Sequence, residues 1–159
     1  DLSEPSSADT PAKVNHAEAA FIAAVVAAVR CRECGSFGPS TVGIIVPYRN
    51  QIATVRTALA QQGIPADDIS IDTVERYQGS QRKYIIYGFT VKRPGQLRFL
   101  TEHTFTDTDG AVVDRKLNVA MTRAREFLIL VGNARLLSAS PVFTSLIDYI
   151  RGKDAFFSL

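Results

Sequence analysis

The sequence has no apolar run long enough to span a bilayer. Its longest, AAFIAAVVAAV at residues 19–29, falls short of the ~18–20 residues a membrane helix needs, so a buried or amphipathic helix is expected there. No secretory signal opens the chain. Residues 1–12 are polar, rich in Pro and Ser, and hold no apolar centre, which points to an intracellular, cytoplasmic setting, nucleoid association included. Cysteine is scarce. Cys31 and Cys34 in CREC have the spacing of half a zinc site, and the second pair that tetrahedral coordination requires is missing; only His16 and His103 are left to complete it. A pair of reduced structural thiols is the expectation. Net charge is small as well, +2 for 159 residues. Binding to nucleic acid by charge depends on local clusters, and residues 76–98 carry Arg76, Arg82, Lys83, Lys92, Arg93 and Arg98 with no acid among them. That stretch predicts either a basic surface or a solvated face.

Further absences concern catalysis. No GxxxxGK[ST] phosphate loop and no GxGxxG is written anywhere, and the glycine clusters CGSFG and YQGS lack the required lysine. The chain alone is not expected to hydrolyse ATP. Neither histidine has a serine or cysteine at triad spacing.

What is present is an ordinary globular composition, 46% hydrophobic and 21% charged, in a length that suits one domain. Residues 1–12 read as a flexible lead-in and 13–159 as the folded unit. Asn15 is a good N-cap for an Ala/Val-rich helix running to Arg30. TVGIIVPY, 41–48, is a continuous β-branched run, the pattern of a parallel strand buried on both faces. A helix over about 50–62 ends at Gly63. Strands follow at about 69–73 and 84–91, then a helix at about 114–124, a strand FLILVG at 127–132, and a helix over 140–151 with Pro141 in its first turn. Residues 92–113 carry no hydrophobic period and read as a long loop, functional or mobile. Alternation of strands and helices predicts an α/β fold with a mainly parallel sheet covered by helices on both faces. In such sheets ligands gather beyond the carboxyl ends of the strands, where Pro47, Tyr48, Thr73 and the segment up to Gln81 are expected to fall, with the LNVAMTRAR helix between the third and fourth strands.

Within LNVAMTRAR, 117–125, helical geometry at ~100° per residue puts Leu117, Ala120, Met121 and Ala124 on one stripe and Arg123 with Val119 opposite, so Arg123 and Arg125 cannot point the same way. A planar, permanently charged guanidinium on a rigid helix can neutralise a phosphoryl group in a neighbouring domain's site, which Arg123 fits as well as it fits an exposed helix arginine.

Taken together, TVGIIVPYRNQ (41–51), IDTVERYQGSQRKYIIYGFT (71–90) and RKLNVAMTRAREFLILVGN (115–133) closely resemble motifs IV, V and VI of superfamily 1 helicases, specifically the Upf-like branch. In that family the three motifs lie in this order in the second of two RecA-like motor domains, a three-layer fold of the P-loop NTPase type. The resemblance implies an ATP-dependent helicase or translocase on single-stranded DNA or RNA, with ATP and Mg²⁺ bound mainly by a first motor domain outside this chain. It implies that Arg123 is the arginine finger facing across a cleft, that Gly79 and Gln81 lie against the nucleotide, and that Arg125 is an intradomain anchor or secondary phosphate contact. Pro47, Tyr48 and Thr73 match positions that face the nucleic acid, and Arg115 and Lys116 match a basic pair that equally suits a solvated helix start. The sequence departs from the pattern at Gln81, usually a glutamate, and at Ser80, commonly basic. The rival expectation is a non-catalytic RecA-like module that binds a protein partner.

Overall fold

The computed structural model describes residues 13–158 except 78–80, 102–103, 107 and 109–111. The lead-in expected at 1–12 lies outside the described residues, as do Gly79, its neighbours Gln78 and Ser80, and His103.

The first helix, α1 (His16–Arg32), starts where the sequence places it, with the Asn15 side chain accepting from the Glu18 amide at 3.0 Å. Its buried face carries Ala19, Ile22, Val26 and Val29. It ends in an exposed turn that presents Cys31 and Cys34 as free thiols. Strand β1 (Val42–Val46) is buried at every residue and leads through Pro47 into α2 (Arg49–Gln61). Just beyond α2, Gly63 adopts φ +65°, the left-handed conformation that closes a helix and favours glycine.

Strands β2 (Ser70–Thr73), β3 (Arg82–Gly88) and β6 (Ala124–Val131) join β1 in one parallel sheet of order β2-β1-β3-β6. Register is set along the centre by Val42 opposite Tyr84 and Ile45 opposite Tyr87. Side chains alternate between two cores. Val42, Ile44, Val46, Tyr84 and Ile86 pack with α1 and α2 on one face; Ile45, Ile85, Tyr87 and Phe89 pack on the other with residues of the later helices. This double burial is why the central strands read as unbroken apolar runs. The edge strand β6 is less covered, with Arg125, Glu126 and Phe127 exposed.

Residues 92–113 are not the loop that the sequence suggests. They contain a helix, α3 (Pro94–Thr101), and a small antiparallel hairpin of β4 (Thr104–Thr106) and β5 (Val112–Asp114). Each element is too short to display a period. The helix α4 (Arg115–Arg123) follows, its N-cap Asp114 accepting from the Leu117 amide at 2.7 Å. A four-residue turn of helix, α5 (Ala134–Leu137), has no counterpart in the sequence reading; α6 (Pro141–Arg151) does.

Close packing sets one test of the core. Gly88 on β3 passes under α1 so tightly that an added Cβ would meet Glu18 Oε1 at 2.7 Å and Ile22 Cδ1 at 3.0 Å. Gly88→Ala is expected to cost about 1–3 kcal/mol by overpacking, seen as a lower urea midpoint with an unchanged slope.

Candidate functional site

Two groups of predicted residues lie at opposite edges of the sheet. At the carboxyl edge, Pro47 and Tyr48 follow β1 and Thr73 ends β2. All three line one cavity of about 460 Å³, together with Lys13, Arg49, Asn50, Glu75, Arg76 and Phe99. Parallel pairing of Val46 with Thr73 explains their meeting, because it brings the two strand ends side by side. Tyr48 is the N-cap residue of α2, and its side chain makes no cap hydrogen bond there. The first amides of α2 and their partial positive charge therefore add to the pull of Lys13, Arg49 and Arg76 on an anion. Thr73 is buried, with its amide donating to Asp72 Oδ1 at 2.8 Å. Glu75 tempers the positive potential of the cavity; Arg76 is only weakly held by Asp72, at 3.9 Å on an exposed surface.

Two pairs of buried polar residues hold α1 to its neighbours. Asn15 and Gln51 exchange two hydrogen bonds, Asn15 N–H to Gln51 Oε1 at 2.8 Å and Gln51 Nε2 to Asn15 O at 2.9 Å, which ties the starts of α1 and α2 together. Glu18 accepts from the Thr90 amide at 2.8 Å and from the Thr90 hydroxyl at 3.0 Å. Burial pushes the Glu18 carboxyl from its ordinary 4.5 up to about 8, against the opposing effect of the Thr90 hydrogen bonds.

The second group sits at the amino edge. Arg123 is the last residue of α4, and Ala124, the first of β6, pairs with Arg82, the first of β3. This corrects the expectation that the segment up to Gln81 and the LNVAMTRAR helix gather their functional residues beyond the carboxyl ends of the strands: α4 returns the chain to the amino edge and Gln81 directly precedes β3 there, so neither Arg123 nor Gln81 is on the rim shared by Pro47, Tyr48 and Thr73. Arg123 is half-buried and forms no ion pair among the described residues, and its Nε is shielded from solvent without a hydrogen-bond partner there. Gln81 approaches the same helix end, its Nε2 donating to Thr122 O at 3.3 Å. Arg125 is exposed and donates from Nη2 to Ser40 O at 3.4 Å, bracing the start of β6 against the entry to β1. The stripe predicted for α4 is narrower than expected, since Met121 is exposed while Lys116, Leu117 and Ala120 are buried.

Lys116 is no solvated helix start. Its Nζ donates to Phe99 O at 3.2 Å, lies 3.8 Å above the Phe99 ring and stands 3.8 Å from Glu75 Oε1. Phe99 in turn stacks on Tyr48, with ring centroids 5.0 Å apart. Sequence reasoning misses Phe99 and Lys13 as cavity residues, and neither carries a signal; Arg76 falls in the segment up to Gln81 expected beyond the strand ends.

The half-buried Arg123 guanidinium, with no ion pair among the described residues, suits an anionic oxygen such as a phosphate through its Nη groups. It does not suit a cation, and among the described residues no three His, Cys, Asp or Glu side chains converge to hold one. Mg²⁺ would need carboxylates from elsewhere.

A family model described as "AAA domain" matches residues 1–135. The chain is similar to "Putative helicase MOV-10" of Gallus gallus, 33% identical over 132 residues that cover 79% of this chain and 13% of that protein. It is similar to "Regulator of nonsense transcripts 1" of Dictyostelium discoideum, 32% identical over 157 residues, 96% of this chain and 11% of the relative. Similarity to "DNA replication ATP-dependent helicase/nuclease DNA2" of Bos taurus is 32% identity over 122 residues, 76% of this chain and 10% of that one. The chain thus spans roughly a tenth of the length of these curated relatives, from 10% to 13%.

Proposed function

We propose a function that proceeds from family, since this chain belongs to the AAA-domain family matched above and to the Upf-like helicase domains of superfamily 1. It acts as the second motor domain of an ATP-dependent helicase or translocase on single-stranded nucleic acid. The first motor domain, outside this chain, holds ATP and Mg²⁺, and Arg123 reaches that nucleotide across the cleft between the two domains. Gly79 and Gln81 border the same cleft, and Arg125 braces the helix end that carries the finger.

The observation that carries this reading is the course of α4. Its nine residues, about 13 Å at the helical rise, run from a first turn in which Lys116 holds the cavity residue Phe99 to a guanidinium at the other edge that has no ion pair among the described residues. A rigid rod between a nucleic-acid track and a phosphate-facing arginine is what coupling of ATP turnover to strand movement requires. Pro47, Tyr48 and Thr73 hold the strand at the cavity. Backbone amides, hydroxyls and cations there contact phosphates, which suits binding without sequence preference.

The test has two arms. The purified chain is expected to show no steady ATPase and to bind single-stranded oligonucleotides weakly and salt-dependently; steady ATP turnover by the chain alone would overturn the division of labour. In the second arm, Arg76→Ala should lower the slope of log affinity against log salt by about one while leaving the urea midpoint unchanged. An unaltered slope removes Arg76 from the track.

A further inference from the structure

A site that only gripped phosphates would not need an aromatic wall, yet the cavity has one. Tyr48 and Phe99 stack at 5.0 Å with an interplanar angle of 27°, and both residues line the cavity that also holds Arg49, Arg76 and Thr73. Phe99 comes from α3, part of a segment in which the sequence shows no periodicity, and it is fixed there from behind. The buried ammonium of Lys116 bonds its carbonyl and lies over its ring, so the first turn of α4 sets where that ring stands. A ring anchored through both its backbone and its face loses little freedom when a ligand arrives.

We propose that the Tyr48–Phe99 pair, with Phe99 supplied by α3, is the apolar wall of the strand-binding cavity, against whose ring edges a base and its sugar pack while the cations take the flanking phosphates. The inference rests on the nucleic-acid reading above and extends it to a residue outside the three family motifs. The ligand is therefore a single strand with unpaired bases, because bases kept in a duplex cannot turn toward the rings. Aromatic contacts of this kind tolerate any base, in keeping with a motor that must move along every sequence.

The experiment separates apolar from ionic contact. A fluorescent thymidine oligomer of about 16 nucleotides is titrated with the chain at several salt concentrations, using the wild type, Phe99→Leu, Phe99→Tyr and Arg76→Ala. Phe99→Leu preserves bulk against Lys116 and is the variant expected to stay folded, which a urea midpoint near that of the wild type verifies. Its affinity is expected to fall about tenfold with the salt slope unchanged, since losing an apolar contact releases no counterions. Phe99→Tyr should bind as the wild type does. If Phe99→Leu binds with wild-type affinity while Arg76→Ala lowers the slope, the wall is refuted and the nucleic-acid reading survives. If the wild type itself shows no salt-dependent binding, the reading fails and takes this inference with it.

Discussion

Arg123→Ala, placed in the longer polypeptide in which this domain would act, is expected to cut ATP turnover by about 10³–10⁵-fold, the range over which a finger arginine has been dissected. That range corresponds to about 4–7 kcal/mol of transition-state stabilisation. Nucleotide affinity should change far less, because the guanidinium matters most when charge develops on the transferred phosphoryl group. The structure gives the expectation its basis: a half-buried arginine at a helix end, with Nε shielded and unpartnered among the described residues and Gln81 beside it. Nothing described in the domain neutralises that charge, so an external anion is the natural complement. Arg123→Lys should restore little, since a single ammonium cannot reproduce the planar fork. Single-turnover ATP hydrolysis alongside binding of a fluorescent nucleotide distinguishes the two effects. Turnover within a few-fold of wild type would strip Arg123 of the role.

Much of this arrangement is legible in the sequence wherever one face or one run decides the outcome. TVGIIV has the pattern of a strand buried on both sides, and Asn15 marks a helix start that the structure reproduces to the residue. Pro47, Tyr48 and Thr73 fall together because each ends or follows a parallel strand. The edge on which Arg123 sits is also within reach. A helix that links two parallel strands must carry the chain back to the amino edge, so its last residue lies there. The illegible parts depend on contacts distant in sequence. Helix α3 begins with Pro94 and Gly95, both breakers by propensity, and is held by Phe99 stacking on Tyr48, 51 positions away in the sequence. Lys116 reads as a surface charge, and only the folded ring of Phe99 and the carbonyl beneath it make burial of its ammonium acceptable. The β4–β5 hairpin has strands of three residues, below the length at which alternation can be recognised.

Glu18 supplies the largest expected dependence of stability on pH. A lone carboxyl buried beneath Gly88 and Ile22 is costly to ionise, and its pKa is pushed up to about 8 from an ordinary 4.5. The folded protein therefore holds a proton at Glu18 that the unfolded chain releases. With the folded value raised, the stabilisation is fully present below about pH 4.5 and is lost progressively as pH rises toward about 8, levelling off above that. At about 1.4 kcal/mol for each pH unit separating the folded and unfolded values, the loss across this window is several kcal/mol at most, a large share of the about 5–15 kcal/mol that stabilises a typical domain. Protonated Glu18 can still satisfy Thr90, accepting its amide through Oε2 and donating to its hydroxyl from Oε1. Glutamine can do the same with a carbonyl and an amide and carries no titratable proton. Glu18→Gln is thus expected to match the wild type near pH 5 and to exceed it in urea midpoint near pH 9, whereas Glu18→Leu, which abandons Thr90, should be destabilised at both. A wild-type midpoint that is flat between pH 5 and 9, or a Glu18→Gln variant that retains the full slope, would show that the buried proton belongs elsewhere.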